Sequence, residues 1–131
     1  MEDCLFCKIV KGEIPSSTVY EDDIIKVIMN INPNVNGHLL IIPKKHYTNL
    51  FDIDNEVITH SLDVTRDKLY PLLKERLHCE GLSIGQNNGL GQEIKHFHLH
   101  IMPRYQNDSA DYCYNKELLK PYEDIFKELT K

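Results

Sequence analysis

The sequence predicts a single domain, residues 1–131, that mixes β-strands with α-helices, and three observations predict it. Short apolar or alternating runs within 18–42 and 82–102 have the length and period of strands. The stretch from Asp54 to His78 has the three- and four-residue spacing of an amphipathic helix. The chain of 131 residues matches the usual size of one domain and shows no repeat, low-complexity tract or Gly/Ser linker.

Taken in order, residues 4–11 suit one or two helical turns ending at Gly12. Thr18–Tyr20 and Ile24–Ile31 read as two strands around the polar Glu21-Asp22-Asp23 turn. Asn32–Gly37 is turn-forming, with Pro33 and the Asn36-Gly37 pair. His38–Ile42 is a buried strand stopped by Pro43. Val57, Ile58, Leu62, Leu69, Leu72, Leu73 and Leu77 then form a helical stripe, with Asp54 as its N-cap. Pro71 should kink or split this helix, and Gly81 should end it. Leu82–Gln86 is a strand, Asn87–Gly91 a loop, and Lys95–Met102 a strictly alternating strand. The tail at 115–131 suits a surface helix broken near Pro121.

Composition narrows the function. Lys plus Arg number 15 and Asp plus Glu 20, a net charge of −5. Nucleic acid and anionic membrane both attract a positive field, so neither is an expected partner. No apolar run approaches the roughly 20 residues of a membrane span. Met1-Glu2-Asp3 lacks a basic leader region, so a cytoplasmic protein with thiols or metal-ligating cysteines is expected rather than a disulfide framework.

The chemistry concentrates in His96-Phe97-His98-Leu99-His100-Ile101-Met102. Alternate side chains of a strand share a face about 6.6 Å apart. His96, His98 and His100 therefore line one face, and Phe97, Leu99 and Ile101 the other, where a helix can bury them. Three imidazoles at period two suit an anion, a metal or a proton better than an incidental polar face. The residues alone leave open a metal site built on two of them and nucleophilic catalysis. Upstream, Gly89-Leu90-Gly91-Gln92-Glu93 reads by itself as a plain turn. Beside the histidines, its glycines would let backbone N–H groups approach a phosphate.

Cys4-Leu5-Phe6-Cys7 can supply two ligands to a tetrahedral metal, which needs two more. A thioredoxin-like role would want a preceding strand, and none precedes it; two unrelated buried thiols are the plainer alternative. Cys79 and Cys113 lack ligand spacing. Taken alone, His38 and His46 are structural or solvated, Lys44 and Lys45 a solvated pair, and His60 and His78 carry no signal.

These motifs together resemble the histidine-triad (HIT) family. The triad run matches its His-apolar-His-apolar-His-apolar-apolar signature, and Gly91-Gln92 and Asn87-Asn88-Gly89 match the segment upstream. Gly37–His46 is similar to the family's Gly-His-strand-Pro-Lys-x-His stretch, and Cys4–Pro15 to the start of bacterial-type members. The resemblance covers about residues 4–105 and points to the nucleotide-binding-protein branch rather than the two-domain uridylyltransferases.

The resemblance implies an α+β fold: a five-stranded antiparallel sheet with one long and one C-terminal helix, in a homodimer joined through the long helix and a strand. It implies a purine nucleotide partner such as AMP or GMP, attacked at the α-phosphorus by His98, with His100 at the phosphate or leaving group. The carbonyl of His96 would fix the tautomer of His98 by accepting from its Nδ1. Asn87, Gln92 and backbone N–H groups near Glu93 would hold phosphate oxygens, with Asn30, Ile31 and His38 completing the nucleotide site. Structural zinc would sit on Cys4, Cys7, His46 and His96. Asn30 stands where the family often has Asp, which removes a bidentate contact to ribose hydroxyls. The expected activity is hydrolysis of a nucleoside phosphoramidate or dinucleoside polyphosphate. The alternatives are a zinc-stabilised nucleotide-binding scaffold, or a metal-dependent phosphohydrolase with the triad as ligands.

Overall fold

In the computed structural model, which describes residues 3–110 and 114–131, strand order is β1-β2-β3-β5-β4 in one antiparallel sheet. The strands are β1 (Thr18–Glu21), β2 (Ile25–Met29), β3 (Leu39–Pro43), β4 (Gly81–Gly85) and β5 (Leu99–Arg104). The helices are α1 (Leu5–Val10), α2 (Asn55–Val64), α3 (Tyr70–Leu77) and α4 (Tyr122–Leu129).

Period two divides the apolar residues between the two faces of the sheet. Ile25 and Val27 of β2, Leu39 and Ile41 of β3, and Phe97, Leu99 and Ile101 pack in one cluster with Val64, Leu69 and Leu73 of the long helix. The opposite face holds a smaller cluster of Phe6, Ile9, Ile28, Leu40 and Ile42. Strand β3 lies at the centre and is buried along its whole length, which is why its sequence is an unbroken apolar run.

The triad run departs from the expected Lys95–Met102 strand, because regular pairing starts only at Leu99. The β3–β5 register places Leu40 against His100 and Ile41 against Leu99. Extended two residues further, it would set Phe97 against Pro43, which has no N–H to donate. The chain bends after Pro43, and the N–H of Phe97 donates to the carbonyl of Tyr47 at 2.7 Å. In-and-out alternation survives all the same: Phe97 is in the helix-side core, while His96 and His98 pack against Phe6.

Helices α2 and α3 are joined by a π-turn, Thr65–Leu69, and Pro71 falls in the first turn of α3. That wide turn is how a proline is accommodated within one continuous helical run. The run ends at His78, in the left-handed region at φ 60, and not at Gly81, which opens β4. Asp54 stands at the N-cap of α2, but its carboxylate accepts from the Tyr47 hydroxyl at 3.0 Å instead of capping. The tail forms a short 3₁₀ turn, Lys116–Leu118, and α4 begins after Pro121; Leu118, Leu119, Phe126 and Leu129 are exposed. Cys79 is a buried core residue, and Cys113 lies outside the described residues. No helix among the described residues is long and apolar enough to cross a membrane.

Asp22 ties the β1–β2 turn to the long helix. Its Oδ1 accepts from the N–H groups of Ile24 and Ile25 at 2.8 and 2.9 Å. Its Oδ2 accepts from the Tyr20 hydroxyl at 2.8 Å and meets His60 Nε2 at 2.6 Å. Burial works to raise this carboxyl, but the two backbone donors, His60 and Tyr20 together hold it well below the ordinary carboxylate range. A depressed folded pKa stabilises above the unfolded value, near 4, and that stability is lost as pH falls. Asp22→Ala should therefore cost about 2 kcal/mol in urea unfolding at pH 7, and the difference from the wild type should shrink as pH drops below 4.

Candidate active site and metal centre

Two clusters of histidine share one face of the sheet, with His96 and His98 adjacent at their boundary. The first joins Cys4, Cys7, His46 and His96, whose donor atoms all lie within 4.8 Å of one another. Sγ of Cys4 is 3.3 Å from His96 Nδ1, and Sγ of Cys7 is 3.3 Å from His46 Nδ1 and 3.5 Å from His96 Nδ1. The two Nδ1 atoms are 3.1 Å apart. A tetrahedral ion bound at about 2.0–2.1 Å to nitrogen and about 2.3 Å to sulfur needs donor edges of about 3.3–3.8 Å. The three sulfur–nitrogen distances fit that figure, and the two nitrogens lie just short of it.

The local chain explains the convergence. Cys4 caps α1, its sulfur accepting from the N–H of Cys7 at 3.3 Å, so both sulfurs lie on one turn. His46 follows the bend after β3. His96 Nε2–H donates to the carbonyl of Pro43 at 2.8 Å, which leaves the Nδ1 lone pair facing the cluster. Burial, then a hydrogen bond and charge from Cys4, push the Cys7 thiol up to about 11. Two thiolates side by side therefore need a neighbouring cation.

The second cluster is His38, His98 and His100. His98 donates from Nδ1 to the carbonyl of His96 at 2.8 Å, so its Nε2 carries the lone pair. The tautomer of His100 follows by elimination through His38. The N–H of Asn34, which can only donate, reaches His38 Nδ1 at 3.1 Å. Nε2 of His38 therefore carries hydrogen and donates to His100 Nδ1 at 2.9 Å. His100 is left with its proton on Nε2. Burial lowers His38, and it lowers His98 against the pull of its bond to His96 and the charge of Glu93. Burial, then the charges of His98 and His38, push His100 down to about 4. The rings of His98 and His100, with centroids 5.0 Å apart, are therefore neutral at pH 7 and present opposite groups: a nucleophilic lone pair and an N–H donor.

Both rings open into a cavity of about 630 Å³. Leu5, Phe6, Ile9, Ile14 and Ile28 form an apolar wall, and His98, His100, Asn87 and Gly91 a polar end. Of the residues expected at the nucleotide site, Asn30, Ile31, His38, Asn87, Glu93, His98 and His100 line it. Gln92 does not, because its carboxamide is committed within the protein. Oε1 accepts from the Gly89 N–H at 3.2 Å, and Nε2 donates to the carbonyls of Thr48 and Ile94 at 2.6 and 3.1 Å. Lys95 Nζ adds a bond to the Gln92 carbonyl at 2.7 Å, so the loop is braced from within, with Gly89 and Gly91 at φ 77 and 94. Asn30 spends Oδ1 on the N–H of Asn32 at 2.9 Å. A second cavity of about 700 Å³ meets the first at Asn34, Asn87 and His100 and runs along β4 and β5 toward Ser83 and Arg104. Arg104 is held by Asp108 through two bonds of 2.7 and 3.0 Å.

Sequence reasoning passed over Phe6 and Asn34. Phe6 packs edge-on to His96 and His98, with centroids 5.9 and 5.0 Å away, and its signal was an apolar residue between two cysteines. Asn34 acts through its backbone, for which no residue type is a signal.

An antiparallel sheet with three histidines on one face beside a glycine-bearing loop defines the histidine-triad class of protein. The HIT domain family pattern matches residues 11–107, and the chain belongs to that family. It is 36% identical to a HIT-like protein of Methanocaldococcus jannaschii, over 96% of this chain and 98% of that one. It is 35% identical to the adenosine 5'-monophosphoramidase of Saccharomyces cerevisiae, over 82% of this chain and 66% of that one. A zinc-bound histidine triad family protein from Mycobacterium smegmatis superposes with a TM-score of 0.79 at 33% identity, covering 88% of this chain and 84% of that one.

The tautomers are open to direct measurement. Two-bond ¹H–¹⁵N correlation spectra at pH 7 should show His98 protonated on Nδ1 and His100 on Nε2. The same tautomer in both rings would contradict the hydrogen-bond chain from Asn34.

Proposed function

We propose that this protein is a nucleotide hydrolase that cleaves a purine nucleoside phosphoramidate or dinucleoside polyphosphate at the α-phosphorus. The observation that carries the reading is the pairing of opposite tautomers on His98 and His100 at the polar end of an apolar-walled cavity. The base lies against Leu5, Ile9, Ile14 and Ile31, with Asn30 toward the ribose. Asn87 and the backbone near Gly91 and Glu93 face the phosphate, and Gln92 serves by holding the loop.

His98 Nε2 attacks phosphorus, forming a P–N bond as the bond to the leaving group breaks. The Nε2–H of His100 donates a hydrogen bond to the leaving group, which takes its proton from solvent water. Water then attacks the nucleotidyl-His98, giving one proton to the solvent and releasing the nucleoside monophosphate and neutral His98. The yeast relative with a named adenosine 5'-monophosphoramidase activity supports this reading. Of the triad, only His96 belongs to the four-donor metal cluster, which favours nucleophilic catalysis over metal-activated water.

His98→Gly should reduce turnover of a nucleoside phosphoramidate by several kcal/mol of barrier, while AMP binding persists. His100→Ala should cost about 3 kcal/mol. Intact mass of enzyme quenched during turnover should show a nucleotidyl adduct. Near-normal turnover by His98→Gly would overturn the covalent route.

Zinc is the ion that two thiolates and two imidazoles suit, and the zinc-bound mycobacterial neighbour supports that assignment. When bound, it would cross-link α1 to the sheet and take no part in the reaction. Protein purified without a tag should carry one zinc per chain, and a Cys4→Ser, Cys7→Ser double variant should lose it and melt roughly 10 °C lower. Stoichiometric zinc in the double variant would count against this site. Exposed Leu62, Leu72 and Leu77 on the long helix, and Ile84 on edge strand β4, support the homodimer. Free cysteines and thiolate ligands support a reducing, cytoplasmic setting.

A further inference from the structure

Helix α1 serves two sites at once. Its Cys7, with the capping Cys4, supplies both sulfurs of the metal cluster. Its Leu5, Phe6 and Ile9 wall the cavity into which His98 and His100 open. Phe6 sits between the two cysteines, is buried, and sets its ring edge against both His96 and His98. His96 in turn is a cluster member whose carbonyl accepts from His98 Nδ1.

Besides the metal cluster, this helix is held by one small apolar cluster and a Lys26 Nζ bond to the Ile9 carbonyl at 3.4 Å. At six residues it is far too short to be helical by itself, and it belongs only to the smaller apolar cluster with Ile28, Leu40 and Ile42. Four donor atoms lie within 4.8 Å, two of them imidazole nitrogens 3.1 Å apart, an arrangement that a bound cation holds far more firmly than a shared proton or thiol hydrogen does.

We infer that Phe6 is a positioning residue that couples the metal centre to the nucleotide cavity, so that metal occupancy and nucleotide affinity are thermodynamically linked. The inference rests on the nucleotide reading above. Metal bound to Cys4 and Cys7 fixes the turn that carries Phe6, which closes the apolar wall and braces the ring of His98. Linkage is reciprocal, so nucleotide must raise metal affinity by the same factor that metal raises nucleotide affinity.

Calorimetric titration of AMP and GMP into the zinc-loaded protein, and into protein stripped by a chelator under reducing conditions, reads one arm. Competition for Zn²⁺ against a chromophoric chelator, with and without nucleotide, reads the other. Both should change at least about five-fold, by matching factors. Phe6→Ala should keep one zinc per chain, bind nucleotide more weakly, and show a factor near one. Equal nucleotide affinity in loaded and stripped protein overturns the coupling. If the stripped protein unfolds, a zinc affinity indifferent to nucleotide overturns it equally. A Phe6→Ala variant that retains the full coupling factor removes Phe6 from it. Failure of the loaded wild type to bind any purine nucleotide would overturn the nucleotide reading and the coupling with it, a result distinct from equal binding in both forms.

Discussion

The site hangs on His96, a fully buried residue with every polar group of its side chain engaged and its carbonyl drawn into the neighbouring ring. Nε2–H is given to the carbonyl of Pro43, Nδ1 faces the two cysteine sulfurs and His46, and the backbone oxygen takes the Nδ1–H of His98. Each contact needs the others. Without the Pro43 carbonyl the ring could present its proton to the thiols, and without a fixed backbone at 96 the lone pair of His98 would lose its direction. A buried neutral imidazole tolerates this only because all its hydrogen-bonding capacity is met. Burial, opposed by the Pro43 bond and aided by His46 and His98, pushes it down to about 4, so no positive charge competes at the metal centre.

The two faces of the sheet do different work. The helix side is large and apolar, with buried residues from the three inner strands and the long helix, and Tyr20 and Leu82 of the edge strands packed against them. The histidine side has a small apolar cluster, a metal centre and two cavities in its place. Stability is thus concentrated on one side, and the other is spent on polar groups that a packed core would exclude. Strand β3 is shared by both, with Leu39 and Ile41 facing the helices and Leu40 and Ile42 facing α1.

Alternation made most of this legible in the sequence. The faces of Phe97, Leu99 and Ile101 and of the three histidines follow from period two, and they hold even where the strand ladder does not. The central strand β3 was readable from its unbroken apolar run, and the long helix from its three- and four-residue spacing. What escaped were features set by atoms instead of residue types. Pro43 stops the ladder through a missing N–H, His78 ends a helix where Gly81 was expected, and Gln92 turns inward because two carbonyls lie within reach. The chain from the Asn34 amide through His38 to His100 depends on a backbone donor, which no side-chain pattern announces.

The π-turn at Thr65–Leu69 has a consequence for how this chain can change length. A π-turn holds one residue more than an α-turn, and one residue in a helix is about 100° of rotation. Deleting a single residue there would restore an α-turn and leave α3 facing as it does, with Leu73 still in the core, whereas the same deletion inside α2 would turn everything beyond it by that angle. The wide turn is thus a register device, a place in the long helix where the chain can change length by one residue without moving the core face.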